Sequence, residues 1–172
     1  VPDSRGFTLL ELLLVMVLLA VTTSLALPRL SSFTLGSPLQ RSARKLTLLI
    51  SQSAQVAVRT SQAHQLRYEP LERTFTLVPL DSSRRESAEQ QPSLPRLQLP
   101  EEVAVKDFGR YYQGVQSVGI LSLLFSAQGY LEPALIHLQD EEGEELTLEL
   151  SPFLSRVYIH QGYLPLEKEL FH

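Results

Sequence analysis

The chain has no cysteine, so it can build neither a disulfide framework nor a thiolate metal site, and no redox compartment is indicated. Nor does it have the excess of base that a nucleic-acid surface needs. Its 15 Lys and Arg stand against 19 Asp and Glu, a net charge of −4, and nucleic acid is not an expected partner. Catalytic signatures are missing too: there is no Gly-x-Ser-x-Gly elbow, no Gly-rich phosphate loop and no His-Glu-x-x-His helix. The four histidines, His64, His137, His160 and His172, show no paired ligand spacing, and packing or surface roles are expected of them. No enzyme activity and no cofactor follow from such a composition. No internal repeat is evident, and 172 residues allow one modest domain besides any anchor.

What the chain does have is a long apolar run with one carboxylate near its start. Phe7 to Leu27 is 21 residues, roughly 31 Å as a helix, enough to cross a bilayer core. A charge at the centre of such a segment costs about 2.5–3.5 kcal/mol, less near an interface, so Glu11 calls for a specific partner. A buried core helix would need a larger domain around it than this chain can supply. Ahead of the run, Val1 to Gly6 is polar, and Gly6 is the small residue at the polar-to-apolar boundary. A secretory signal places its small-residue cleavage site behind the apolar stretch. Here it comes first, and cleavage there would leave the helix on the mature chain.

The order Gly6-Phe7-Thr8-Leu9-Leu10-Glu11 before an apolar helix resembles the class III signal of type IV pilins and pseudopilins. That resemblance implies cleavage between Gly6 and Phe7 by a prepilin peptidase and methylation of the Phe7 amine. It also implies an assembly role for Glu11, paired with the terminal amine of a neighbouring subunit. Implied partners are other pilin-like subunits in a filament, the peptidase, an inner-membrane secretion platform and membrane lipid. The implied location is a single pass of the bacterial inner membrane with the globular part in the periplasm. Charge does not mark this orientation, because Arg5 precedes the helix while Arg29, Arg41, Arg44 and Lys45 follow it.

Pro28 should kink or interrupt the helix, and Ser31-Ser32 and Gly36-Ser37-Pro38 read as loop. Leu39, Ala43, Leu46, Ile50, Ala54 and Ala57 then recur at three- and four-residue intervals, one face of an amphipathic helix within residues 28–60. Gln40, Arg41, Arg44, Lys45, Gln52, Gln55 and Arg59 occupy the other face, either solvated or drawn to anionic headgroups. From Gln65 the period shifts toward two. Gln65–Glu69 and Thr74–Val78 read as a hairpin joined through Pro70–Arg73. Asp81 to Pro100 is polar and Pro-punctuated, and a long exposed loop about residues 81–100 is expected. Val103–Phe108 reads as a short strand, and Tyr111–Gly119 is ambiguous.

Further strands are expected at Ser122–Ser126, with a turn at Gln128-Gly129, at Leu135–Leu138 and Leu146–Leu150 around Gly143, and at Arg156–His160. The expected fold is α+β: a long N-terminal helix, transmembrane and then amphipathic, packed on an antiparallel β-sheet domain over residues 61–172. This order of strands resembles the H-type minor pseudopilins of type II secretion and the related FimT-type minor pilins. Asp140, Glu141, Glu142 and Glu144 are weak candidates for a hard cation, although such a charge run is usually solvated. The resemblance implies a structural subunit of a short periplasmic filament that drives protein export. One alternative is a FimT-like minor pilin in pilus assembly or DNA uptake. The tail Gly162–His172, with one Lys against two Glu, supplies few phosphate contacts for that role. A membrane-tethered ligand-binding β-domain that does not polymerise is the alternative from a different class.

Overall fold

The computed structural model describes residues 9–21, 36–81, 94–152 and 156–166. The chain divides into two compact units, Val1–Ser37 and Pro38–His172. In the first, residues 9–21 form helix α1, the described part of the expected transmembrane segment. The kink expected at Pro28 lies outside the described residues. In the second unit, helix α2 (Pro38–Thr60) opens with Pro38, whose missing N–H is not needed in a first turn.

The apolar stripe falls where its spacing put it. Leu39, Ala43, Leu46, Ile50, Ala54 and Ala57 are all buried, and Arg44, Lys45, Gln52, Gln55 and Arg59 are exposed. The buried face is wider than the stripe, because Leu49 and Val56 also pack, as do Ser42 and Ser53. Ser53 hides its hydroxyl by donating to the Leu49 carbonyl at 2.7 Å, one turn back.

Two antiparallel sheets receive this face. One has the order β3-β2-β1-β6, built from β1 (His64–Glu69), β2 (Thr74–Pro79), β3 (Arg96–Gln98) and β6 (Leu121–Phe125). The other runs β5-β4-β7-β8-β9, from β4 (Val103–Arg110), β5 (Gly114–Gln116), β7 (Ala134–Asp140), β8 (Glu145–Leu150) and β9 (Val157–Gln161). Helix α2 touches strands of both sheets, so a single apolar face closes the core of each. Phe75 of β2 and Phe108 of β4 join them directly, with ring centroids 6.4 Å apart. Gly129, in the turn after β6, approaches α2 so closely that a Cβ would lie 2.7 Å from Val58 Cγ2. Its φ of +83° disfavours any other residue as well.

The expected loop over 81–100 needs correction at its end. Residues 96–98 form strand β3, Leu99 is buried, and Leu94 and Leu97 pack against the core. The physical reason lies in the two prolines flanking this stretch. Pro95 accepts from the Leu77 N–H, and Leu99 donates to the Arg73 carbonyl, so a short edge strand forms between residues that cannot themselves donate. Residues 82–93 lie outside the described residues. The ambiguous stretch after Tyr111 turns back as β5, and each other expected strand is present, either longer by one to three residues or, for β6 and β9, of the expected length and shifted by one.

Strand β7 is buried at five successive positions, Ala134 to Leu138, which a sheet with one wet face does not allow. Ala134, Ile136 and Leu138 belong to the core. Leu135 and His137 point the other way, and the segment 162–166 covers them: Leu166 lies over Gly109 beside the Leu135 Cβ, and Leu164 bonds to His137.

Candidate functional site

Gly6 and Phe7, the expected processing residues, lie outside the described residues. The described part of the segment expected to carry assembly is α1. Twelve of its residues are apolar, Glu11 alone is not, and all are exposed. Leu9 is 85% exposed and Leu14 67%. Leaving so many Leu and Val side chains in water is unfavourable by about 25 cal/mol per Å² of apolar surface, so this helix is built to be covered by lipid or by other helices. Among the described residues, no helix is long and apolar enough to cross a membrane.

Helix α2 carries a second surface. Arg41, Lys45, Gln52 and Arg59 fall on one outward stripe, with Arg44 and Gln55 beside it. The helix has no Asp or Glu among its 23 residues. The side chains of Arg44, Lys45 and Arg59 make no hydrogen bond or ion pair among the described residues.

The acidic turn between β7 and β8 is the opposite in charge. Asp140 Oδ1 accepts the N–H of Glu142 at 3.1 Å and of Glu144 at 2.9 Å, which fixes the turn around Gly143. Glu141, Glu142 and Glu144 are exposed. Among the described residues, no three His, Asp or Glu are placed to hold one metal ion, so these weak cation candidates are not gathered into a site.

The histidines sit in separate places. His64 is buried with Nδ1 3.0 Å from the Gln62 carbonyl, and His160 Nε2 lies 2.7 Å from Glu149 Oε2. His172 lies outside the described residues. His137 belongs to a polar row that sequence reasoning missed. Asp107, His137, Thr147 and His160 are register partners across β4, β7, β8 and β9. A bulge at Lys106 shifts the phase of β4 so that Asp107 meets His137.

The Asp107 carboxylate faces His137 Nδ1, and Nε2 lies 2.8 Å from the Leu164 carbonyl. Thr147 Oγ1 donates to the Gly162 carbonyl at 2.7 Å and accepts the Leu164 N–H at 3.0 Å. Lys106 pairs with Glu145 and sits 5.0 Å above the Tyr163 ring. Partial burial and the Asp107 carboxylate raise the Tyr163 hydroxyl above its ordinary value, against the opposing field of Lys106. This cluster satisfies buried polar groups and holds down the segment 162–166. Its chemistry, in the contacts shown, is that of a fastening. The signal for it was weak: an Asp and a His at alternate strand positions, with nothing local to say that their face is covered.

Comparison with known proteins follows these two regions. Residues 2–27 match the prokaryotic N-terminal methylation motif. No curated protein matches the chain in sequence. The fold is similar to that of the minor pseudopilin EpsH from the type 2 secretion system of Vibrio cholerae. One structure of EpsH gives a TM-score of 0.52 at 13% identity over 73% of this chain and 98% of that one. A second, a crystal structure, gives 0.54 at 13% identity over 74% and 96%. The chain therefore joins an N-terminal methylation motif to a pilin-like α+β fold, a helix packed on antiparallel sheets, similar to that of EpsH.

Proposed function

We propose that this pilin-like chain is a minor pseudopilin, a membrane-anchored subunit of a short periplasmic filament that drives protein export. The single observation that carries the reading is α1, whose described apolar side chains are all exposed and whose one carboxylate lies within the matched methylation motif. Such a helix needs lipid before assembly and neighbouring helices after it. The likeness to EpsH is one of fold, and the shortage of base in the Gly162–His172 tail supports secretion over DNA uptake. Partners on this reading are other pilin-like subunits, a prepilin peptidase and an inner-membrane platform.

Two measurements test it. Intact mass of the chain from membranes, with and without a prepilin peptidase, should show loss of everything up to Gly6 and a methyl group on Phe7. Deletion of the chain in its host should abolish export of folded proteins across the outer membrane and leave surface pili intact. Normal export with lost pili or lost DNA uptake would move the chain to the FimT-type role. An unprocessed, non-assembling protein would leave a tethered domain.

A further inference from the structure

The side chain of His137 is 1% exposed, so its ring must find its partners within the protein. Both ring nitrogens meet acceptors. Nδ1 faces Asp107 Oδ1, and Nε2 is 2.8 Å from the Leu164 carbonyl. Neither a carboxylate nor a carbonyl has a proton to give, and a neutral imidazole has one N–H and one bare lone pair. Two acceptors therefore call for a ring that donates at both nitrogens, which is the imidazolium. The count is the same if the proton between Nδ1 and Oδ1 sits nearer the carboxylate. The pair then still holds one proton more than a neutral ring beside an ionised Asp107. Its surroundings suit a cation, because Tyr163 lays its ring on the imidazole with centroids 4.0 Å apart. The other charged groups near this row are Lys106 on β4, Glu145 and Glu149 on β8 and His160 on β9. Lys106 pairs with Glu145 and His160 with Glu149, which leaves Asp107 and His137 to each other.

We infer that the segment 162–166 is a proton-dependent strap, closed on the five-stranded sheet while His137 is an imidazolium and released when that proton leaves. A neutral ring that keeps its bond to Asp107 turns a bare Nε2 lone pair on the Leu164 carbonyl. One that keeps its bond to Leu164 turns the lone pair on the carboxylate instead. Either way a buried acceptor loses its donor, and swinging the strap away lets water supply one. Release uncovers Asp107, His137 and Thr147, so the outer face of this sheet has a covered state and an open polar one. The closed state binds the extra proton, so acid favours closure and rising pH favours release. Histidines exchange their proton between about pH 5 and 8, which puts the switch in the physiological range. The inference concerns the second unit alone and stands apart from the filament reading.

The test follows hydrogen exchange of the Leu164 amide, which donates to Thr147 Oγ1, in the full chain in detergent from about pH 5 to 8. Dividing each rate by the intrinsic chemical rate gives the opening constant of the strap. It should be flat while His137 keeps its proton and then rise about tenfold per pH unit, the slope of one proton. D107N should flatten that rise and keep the strap closed, because an amide can donate to Nδ1 and let a neutral ring give its one N–H to Leu164. H160Q should leave the rise in place. Spectra of the chain labelled with ¹⁵N-histidine should show both His137 nitrogens protonated in the closed state, a reading that does not depend on any variant folding. A closed state with one bare nitrogen, an opening constant indifferent to pH, or a rise that survives D107N overturns the strap. A rise lost in H160Q also overturns it, by assigning the proton to His160.

Discussion

The ring of Tyr163 lies on the ring of His137, centroids 4.0 Å apart and 17° from parallel. The stack is the visible end of a fastening in which Asp107 backs the imidazole and the Leu164 carbonyl takes its other nitrogen. A short irregular segment is thereby held against the outer face of the five-stranded sheet. Asp107, His137 and Thr147 find partners there although they are buried.

Removing half of a buried pair leaves the other half without compensation. His137→Ala should destabilise the second unit by about 3–5 kcal/mol, read from urea unfolding followed by circular dichroism. Asp107→Leu combined with His137→Leu should cost less than the two single changes together. Additive losses would show that the two residues act separately.

Leu46 is fully buried at the centre of the α2 stripe. Leu46→Ala should cost roughly 2–5 kcal/mol, through lost transfer energy and the cavity left behind. Arg44→Ala, two residues away on the exposed face, should change stability by no more than about 0.5 kcal/mol. Thermal melts of the two variants beside the parent decide between a packed stripe and a wet one.

Burial raises the Tyr68 hydroxyl above the ordinary tyrosine value of 10.0, against a hydrogen bond at the Val105 backbone and the field of Arg73, which both lower it. A raised folded-state value means that the unfolded chain ionises first. The contribution of Tyr68 is therefore fully present below pH 10.0 and is lost as pH climbs from there through the folded value. Urea midpoints should fall over that alkaline range, and Tyr68→Phe should make the fall shallower. An unchanged slope in the variant would assign the alkaline loss to other groups.

Glu11 is the one polar side chain in the described part of α1. In a filament of packed apolar helices, a carboxylate that meets a neighbour's amino terminus selects one axial register, because either charge left alone in that setting is penalised. Glu11→Leu should leave the second unit folded and the chain in the membrane, and should abolish cross-links between its helix and those of other pilin-like subunits. Unchanged cross-links would remove Glu11 from assembly.

Local pattern determined much of this protein. The three- and four-residue spacing from Leu39 to Ala57 marked the buried face of α2, and the turn residues Pro70–Arg73 and Gly143 marked two hairpins, because helix and strand periods are read within a few residues. The residues around Gly6 to Glu11 carried the resemblance on their own. Tertiary structure decided the rest. Leu97 and Leu99 join a sheet only because β2 offers its edge and the core needs them, which their Pro-rich surroundings do not announce. Asp107, His137 and Thr147 face a surface that alternation alone would leave wet. What covers them is the segment 162–166, between 15 and 59 residues away in sequence, and burial set by so distant a neighbour leaves no periodic trace where it acts.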